Sequence, residues 1–292
     1  MGKYSIKDVE TLTGIKAHTI RIWEKRFNLF TPSRTDTNIR KYSDEDIRLA
    51  LNISLLQQKG FKISQIARMN AAQVDVEVKR ILSDKKNTNI GVEAMLIATS
   101  NFNETDLKQY IERSVEAKGI KAIYTELISP FLARIGALWQ SGILNPAQEH
   151  FASNIIREYL FTQINRIEQA PESNPLIIFY LPEGEYHEIT LLYCTLLAKM
   201  ARYKVIYLGQ TVPLENLIAT AKNLQPWALL TSINKRMPNE DVTSHFASLK
   251  RALPSTLLLV TGYQVNAEQA TLPGYVTTIS SQDELDKAIP PQ

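Results

Sequence analysis

The stretch LIIFYLPEGEYHEIT, residues 176–190, indicates most clearly that part of the chain forms a sheet. Its first six residues are apolar or aromatic, which is typical of a strand buried on both faces of a parallel sheet. Further short apolar runs follow at 205–208, 228–233 and 257–260, and amphipathic helical stretches lie near 187–201, 213–224 and 239–252. Strands that alternate with helices predict βαβ units, and hence a doubly wound parallel sheet over residues 171–292.

The second half of that stretch, residues 184–190, falls at a strand-to-helix turn. In open α/β sheets, ligands bind at the carboxyl ends of the strands. His187 can ligate a metal through one ring nitrogen while a carboxylate orients the other, and Glu185 is placed for that orienting role. A helix cap or a surface residue is the alternative interpretation of His187, and the pattern alone leaves both open.

Upstream, a polar linker at 168–175 separates this α/β part from a helical segment over residues 76–170. Apolar residues spaced by three or four run through 119–139, and Pro130 inside that run predicts a kink. The next helix is predicted to begin at Pro146. A four-helix bundle is the simplest packing for the segment.

A second group of candidate residues lies in this bundle. Trp139 is followed, after nine residues, by Glu149 and His150. Glu149 lies seven residues before Ile156, so we expect it on the same inward face. A carboxylate that faces a core needs a partner. That partner is either a cap or ion pair within the bundle, or a ligand held against Trp139, and spacing does not decide between them.

The first 75 residues predict short helices with tight turns. Ser5 begins a capping box, Gly14 breaks the first helix, and Pro32 is expected to end the second. The polar stretch 33–42 is short enough for a small hairpin. Helix, turn, helix and hairpin together predict a winged helix-turn-helix head over residues 1–75.

The charge distribution indicates a nucleic acid as the partner of this head. Residues 1–80 hold 15 lysines and arginines against 9 acidic residues, a net +6, whereas the rest of the chain holds 18 against 21, a net −3. A basic segment on a slightly acidic body is typical of polyanion binding. The predicted contacts to double-stranded DNA are His18, Thr19, Arg21, Lys25 and Arg26 on the second helix, and Arg34, Arg40 and Lys41 on the hairpin. A solvated basic face on an unrelated helical domain is the alternative.

The whole chain has 292 residues, of which 44% are hydrophobic and 22% charged, as in an ordinary globular protein. No apolar run approaches the roughly 18 residues that span a bilayer, and the N-terminus lacks the apolar core of a signal peptide. The single cysteine, Cys194, cannot form an internal disulfide. We therefore expect a cytoplasmic protein with no membrane partner. No Ser/His/Asp set, Gly-rich phosphate loop or zinc cluster indicates an enzyme.

Three motifs of the head carry a family resemblance. They are Thr19-Ile20-Arg21-Ile22-Trp23-Glu24, Asn38-Ile39-Arg40-Lys41-Tyr42-Ser43 and Gly60-Phe61-Lys62-Ile63-Ser64-Gln65-Ile66. The head resembles MerR-type transcription regulators, which implies dimers on near-palindromic operators. It also implies groove contacts near Thr19 and Arg21, and wing contacts near Arg34, Arg40 and Tyr42. The long dimerisation helix of that family is not visible after the head, so a different sensor is expected to set the assembly state.

The order of the parts supports a more particular resemblance. A head of this type, a bundle with Trp139, Glu149 and His150, and a Rossmann-like domain whose loop carries Glu185 and His187 look like the cobalamin-dependent light-responsive repressors. In that family adenosylcobalamin lies between the bundle and the α/β domain, and the dark form tetramerises on promoters until light releases the DNA. The resemblance implies that His187 is the lower cobalt ligand, and that the Trp and Glu cover the adenosyl group. It further implies cofactor contacts at Ser232 and Gly262, and a homo-oligomer that is a dimer or a tetramer.

Several residues depart from the family pattern. Glu185 stands in place of an aspartate, and Thr190 and Thr261 replace glycines that lie close to the nucleotide tail of the cofactor. Asn234 stands where leucine or threonine is usual, and Gln140 replaces a histidine that captures cobalt after photolysis. Because glutamine is a poor cobalt ligand, we do not expect a light state with two histidine ligands through this position.

Three hypotheses follow. The chain is a cobalamin-binding regulator, most simply a repressor. Alternatively, it is a regulator of the same architecture that has lost cobalamin and responds to another ligand or to a protein partner. The third hypothesis is an enzyme, since the α/β domain also resembles the cobalamin modules of methyltransferases and mutases. The DNA-binding head and the lack of a catalytic domain argue against the enzyme.

Overall fold

The structure, a computed structural model, describes residues 4–35, 37–83, 91–140, 144–234, 239–267 and 272–292. The chain folds as two compact units, Met1–Ile155 and Ile156–Gln292. Their boundary lies upstream of the predicted linker at 168–175, and the division into domains at 1–75, 76–170 and 171–292 remains a prediction. No helix in the described part of the chain is long and apolar enough to cross a membrane.

The head consists of short helices and a two-stranded hairpin. Its elements are α1 (Ile6–Thr13), α2 (Ala17–Phe27), β1 (Ser33–Arg34), β2 (Arg40–Lys41), α3 (Asp44–Gln58), α4 (Ile63–Ile66) and α5 (Ala71–Ser83). Ser5 and Asp8 form the predicted capping box, and Gly14 ends α1 in the left-handed conformation with φ of 72°. β1 and β2 pair antiparallel as the wing. The predicted winged helix-turn-helix is therefore confirmed.

The second helix ends earlier than the sequence indicates. Its last residue is Phe27, and Asn28 follows in the left-handed conformation with φ of 53°. The N–H of Asn28 bonds to the Glu24 carbonyl at 3.1 Å. Asparagine adopts this conformation more readily than most residues, so it ends the helix by itself. The prediction that Pro32 is the terminator is wrong, because Pro32 lies in the connection to the wing.

The helical segment contains α6 (Val92–Ser100), α7 (Glu104–Lys118), α8 (Ile120–Ile123), α9 (Ser129–Gln140) and α10 (Pro146–Arg166). α8 and α9 are joined by a π-helical turn, Tyr124–Ile128, in which the N–H of Ser129 bonds to the Tyr124 carbonyl. Pro130 follows this turn directly. Because proline has no N–H and its ring crowds the preceding turn, we attribute the widened turn to Pro130, where the sequence predicted a kink. Within the first unit α6 packs against both α7 and α9, as the predicted bundle requires.

The second unit contains the end of α10 and a five-stranded sheet. Its other elements are β3 (Leu176–Pro182), α11 (Ile189–Met200), β4 (Lys204–Val212), α12 (Leu214–Leu224), β5 (Ala228–Ser232), α13 (Asn239–Ala252), β6 (Leu257–Thr261), α14 (Tyr263–Ala267), β7 (Val276–Thr278) and α15 (Gln282–Ala288). All its strands are parallel, in the order β4-β3-β5-β6-β7. This is the order of a doubly wound sheet, which confirms the predicted fold class. β7 and α15 are additions that the sequence did not predict.

The apolar part of residues 176–190 forms β3, an inner strand between β4 and β5. Ile177, Ile178, Phe179 and Tyr180 of β3 are each at most 1% exposed, because helices of the unit pack on the faces of the sheet. The strand order reverses at β3, since the chain passes to β4 on one side and then to β5 on the other. Loops that leave such a switch point in opposite directions open a crevice at the carboxyl ends of the strands. The loop at 183–188 and the end of β5 flank that crevice.

Candidate functional site

The loop after β3 holds a histidine against a buried carboxylate. Glu185 is 1% exposed, and its Oε1 accepts the backbone N–H groups of Tyr186 and His187, both at 2.9 Å. The same oxygen lies 2.6 Å from Nδ1 of His187, whose side chain is 69% exposed. A buried carboxylate is stable only when it is hydrogen-bonded, and these donors satisfy that need. Glu185 is therefore in contact with the imidazole, and its orienting role remains a prediction.

The contact with Glu185 determines what His187 can do chemically. When Nδ1–H donates to the carboxylate, the imidazole carries its lone pair on Nε2, the atom through which it can ligate a metal. In the described residues, no group of three or more His, Cys, Asp or Glu side chains is arranged to hold a metal ion. A single histidine suits a metal whose other positions are filled by a macrocycle, as in haem proteins. The donor set therefore fits the cobalt of a corrin better than a bare metal ion.

Asn234 joins the histidine loop to the ends of β5 and β6. Its backbone N–H donates to Glu185 Oε2 at 2.8 Å, and its Nδ2 lies 3.0 Å from Ser232 Oγ and 3.3 Å from the His187 carbonyl. Its Oδ1 accepts the backbone N–H of Tyr263 at 3.0 Å. As a sequence feature Asn234 is only a departure from the family pattern. Its hydrogen bonds depend on the meeting of three loops, which spacing along the chain does not reveal.

A second buried carboxylate follows His187 directly. Glu188 is 7% exposed, and it accepts hydrogen bonds from Arg157 Nη1 at 3.0 Å and from the Tyr207 hydroxyl at 2.5 Å. Burial, together with the hydrogen bond to Glu188, raises the pKa of Tyr207 well above its ordinary value, so the phenol stays a donor. Tyr207 also packs edge-on against Phe161, with ring centroids 5.7 Å apart. Because Arg157 and Phe161 lie on α10, this network ties the end of α10 to the loop of His187.

The other residues predicted to contact a cofactor in this unit are engaged by the protein itself. Ser232 is fully buried, and its hydroxyl is the one that Asn234 contacts. Gly262 has φ of 115°, and a Cβ there would lie 2.4 Å from the Ile233 carbonyl oxygen, so the protein's own backbone requires glycine. Thr261 is 7% exposed. The cofactor contacts of Ser232 and Gly262 remain predictions.

In the first unit, the structure pairs Glu149 with the residue next to it. α10 begins at Pro146 as predicted, and Glu149 in its first turn lies 2.7 Å from Nδ1 of His150. The two side chains are 28% and 71% exposed. The expectation that Glu149 faces the core is corrected, because the first turn of the helix leaves it half-buried beside a histidine. Trp139 is 50% exposed, its contact with an adenosyl group remains a prediction, and the side chain of Gln140 lies outside the described residues.

The helix α2 presents the predicted DNA contacts away from the core. Ile20 and Trp23 are buried at 0% and 5% exposure. The residues predicted to meet DNA are exposed or half-buried: His18, Thr19, Arg21 and Arg26. On the wing, Arg34 is exposed and donates to Asn38 Oδ1 at 2.7 Å. This basic surface is a candidate nucleic-acid interface.

Glu24 organises the wing from its position on α2, a role that the sequence did not predict. Arg40 Nε lies 2.9 and 3.1 Å from its two carboxylate oxygens, and Arg34 Nη2 lies 3.7 Å away. The hydrogen bond to Glu24 raises the pKa of Arg40 above its ordinary value. Tyr42 donates to the same carboxylate at 3.3 Å, and burial raises the pKa of Tyr42 to about 12.

The structure corrects the prediction that Tyr42 contacts DNA. Tyr42 is 1% exposed and packs edge-on against Phe30, with ring centroids 6.2 Å apart. Its backbone pairs with that of Tyr4. A side chain with so little accessible surface does not reach a phosphate. Its hydroxyl instead supports Glu24, and through Glu24 the arginines of the wing.

Comparison with known proteins gives matches to two segments of the chain and to most of its length. The model of the MerR HTH family regulatory protein matches residues 4–73, and that of the B12 binding domain matches residues 92–161. The HTH-type transcriptional repressor CarH of Myxococcus xanthus is 28% identical over 274 residues, which are 91% of this chain and 91% of that protein. The repressor CarA of the same organism is 25% identical over 238 residues, 80% of this chain and 78% of that protein.

A solved structure supports the fold. The monomethylamine corrinoid protein of Methanosarcina barkeri superimposes with a TM-score of 0.54 at 16% identity, over 66% of this chain and 94% of that one. The two matched repressors are regulators rather than enzymes, in agreement with the prediction that this chain is not an enzyme. The chain is a transcriptional regulator that combines a MerR-type head with a B12 binding domain, and it is homologous to the repressors CarH and CarA.

Proposed function

We propose that the chain binds a double-stranded DNA operator as a homo-oligomer, a dimer or a tetramer, and that cobalamin controls this binding. In the simplest version of this proposal, the protein is a cytoplasmic repressor. The DNA part is supported by the family match at 4–73, by the net charge of +6 over residues 1–80, and by the exposed arginines of α2 and the wing. Binding through these cations releases counterions, so we expect a steep dependence on salt.

The contact between Glu185 and His187 is the observation that carries the cobalamin part. It orients an exposed imidazole at the switch point, where open α/β sheets bind their ligands. Adenosylcobalamin, when bound, supplies a cobalt–carbon bond that light can break. The residues of this chain do the holding: His187 ligates, Glu185 orients the imidazole, and Glu188 with Arg157 keeps the loop in place. We propose that the adenosyl group of the cofactor is contacted by Trp139, Glu149 and His150.

Operator binding with and without the cofactor tests this function. An operator is selected from random duplexes, and its affinity is measured for the protein alone, with adenosylcobalamin in the dark, and after illumination. We expect tight binding by a larger oligomer in the dark and weaker binding after light, with size exclusion reporting the assembly state. Equal affinity in all three conditions would reject cobalamin control. Unchanged affinity in the double variant Arg21→Ala, Arg34→Ala would reject the DNA interface.

A regulator that has lost cobalamin is the second candidate, and one observation favours it. The side chain of Asn234 spans the crevice at the switch point, and the hydroxyl of Ser232 is already engaged. In that case another ligand or a protein partner controls the head. Retention of a corrin by the purified protein separates the two candidates.

A further inference from the structure

One side chain spans the crevice at the switch point. Asn234 lies at the end of β5 and contacts Ser232 on its own strand, the His187 carbonyl in the loop after β3, and the Tyr263 N–H after β6. Three segments that flank the crevice are therefore held together by one amide group.

An amide suits this position because it carries donors and an acceptor on one planar group. The two hydrogens of Nδ2 serve Ser232 Oγ at 3.0 Å and the His187 carbonyl at 3.3 Å, while Oδ1 accepts from Tyr263 at 3.0 Å. The backbone N–H of Asn234 bonds Glu185 Oε2 at 2.8 Å. The residue is thus held by both its main chain and its side chain.

A ligand that occupies the crevice has to break these hydrogen bonds, and the buried hydroxyl of Ser232 then needs a new partner. The chemistry of cobalamin indicates which part of it would do so. In free cobalamin the lower cobalt ligand is the base of its nucleotide tail. If His187 takes that position, the base is released on the same face of the ring, towards the edge of the sheet that carries His187.

We propose that Asn234 is a latch across the switch-point crevice, and that the nucleotide tail of a bound cobalamin must displace its side chain. This inference rests on the proposed cobalamin function and adds a residue that determines specificity among corrinoids. The latch opposes binding of cobalamin. It does not oppose cobinamide, the corrinoid that lacks the nucleotide tail.

The test compares the two corrinoids in the full chain. Wild-type protein, Asn234→Ala and Asn174→Ala are titrated with cobalamin and with cobinamide, and binding is followed in the visible spectrum. Asn174 is the matched control, since its Nδ2 also bridges two loops, donating to the Arg202 carbonyl at 2.7 Å before β4. We expect Asn234→Ala to strengthen cobalamin binding about tenfold relative to cobinamide binding. Asn174→Ala should leave both affinities as in the wild type.

The ratio of the cobalamin affinity to the cobinamide affinity distinguishes failure of the latch from failure of the proposed function. If the wild type binds both corrinoids and the ratio does not shift towards cobalamin in Asn234→Ala, the latch is rejected while the proposed function stands. If only Asn234→Ala binds cobalamin, the latch is supported and the proposed function fails. If neither protein binds either corrinoid, both are rejected.

Hydrogen exchange gives a second readout that does not depend on affinity. The N–H of Tyr263 is bonded to Asn234 Oδ1, so opening of the latch exposes it to exchange. Cobalamin should accelerate exchange at Tyr263 in the wild type, and cobinamide should not. Equal protection with cobalamin bound and with no corrinoid would reject the latch.

Discussion

Glu185 Oε1 lies 2.6 Å from His187 Nδ1 at the carboxyl end of β3. The same carboxylate accepts the backbone N–H groups of Tyr186, His187 and Asn234. These contacts hold the buried carboxylate in one place, and when His187 donates Nδ1–H to it, Nε2 is left as the ligating atom. The proposed ligation through His187 therefore depends on a residue that is itself almost inaccessible to solvent.

Glu185→Gln should weaken cobalamin binding about 10- to 100-fold, as removal of an outer partner of a metal-ligating histidine does. Glutamine keeps the shape of the side chain but removes the charge that stabilises the Nδ1–H tautomer. Titration with cobalamin measures the effect. Glu183→Gln, at an exposed position of the same loop, is the control and should bind as the wild type does. Equal affinities of the two variants would show that Glu185 does not orient the ligand.

Arg157→Ala should lower the free energy of unfolding by about 1–2 kcal/mol, because it leaves the buried Glu188 carboxylate without its cation. The expected loss of unfolding free energy is smaller than for a fully buried ion pair, because the Arg157 side chain is 43% exposed. Urea unfolding measures it, with the exposed Arg166→Ala as control, where less than about 0.5 kcal/mol is expected. Adding Glu188→Gln should restore part of the loss, since it removes the unpaired charge. No recovery in the double variant would contradict this explanation.

His245 should make the α/β unit less stable in acid. Nε2 of His245 lies 2.9 Å from the Tyr180 hydroxyl, and burial lowers the pKa of His245 from 6.5 to about 4. The unfolded chain binds more protons between these values, so stability falls as pH decreases from about 6.5 towards 4. From pH 7 to pH 5 this group should cost roughly 1–2 kcal/mol of unfolding free energy.

His245→Gln tests that pH dependence, because glutamine can still accept from Tyr180 but does not titrate. Urea unfolding at pH 7 and pH 5 should show a smaller loss of stability in this variant than in the wild type. His18→Gln, at an exposed position of the head, is the control. The same loss in all three proteins would mean that His245 is not the group responsible.

Tyr42→Phe should weaken operator affinity much less than Arg21→Ala, which should weaken it by about 1–3 kcal/mol. The difference follows from exposure, since Tyr42 is 1% exposed and Arg21 is exposed. Glu24→Gln should also weaken operator binding although it makes the head more basic, because it releases Arg34 and Arg40 from their fixed positions. Fluorescence anisotropy with the selected operator measures all three. A loss in Tyr42→Phe as large as that in Arg21→Ala would restore Tyr42 as a direct contact.

Much of the fold was predictable from local patterns. The apolar run at 176–181 becomes the inner strand β3, because a strand of a parallel sheet covered by helices is buried on both faces. The capping box at Ser5 and the start of α10 at Pro146 also follow from the residues themselves. The three-residue β7 is too short to give a pattern, and the end of α2 at Asn28 depends on one left-handed residue.

The contacts of the candidate site were less predictable from the sequence, because they depend on which loops the fold brings next to each other. The roles of Glu185 and His187 follow from two residues in one turn. Asn234 and Glu24 are different, since each joins segments distant in sequence. Tyr42 directly follows the basic residues of the wing in the sequence, which suggests a DNA contact. In the structure Phe30 packs against it, and Tyr42 is a core residue.

A visible spectrum of the purified protein shows whether the chain retains a corrin through His187. Purified protein is mixed with adenosylcobalamin in the dark and desalted, and the visible spectrum is recorded for the wild type and for His187→Ala. We expect the wild type to retain the corrin with a spectrum unlike that of free adenosylcobalamin, and His187→Ala to change this spectrum or to lose the corrin. No corrin on the wild-type protein, or the same spectrum in both proteins, would show that His187 does not ligate a corrin.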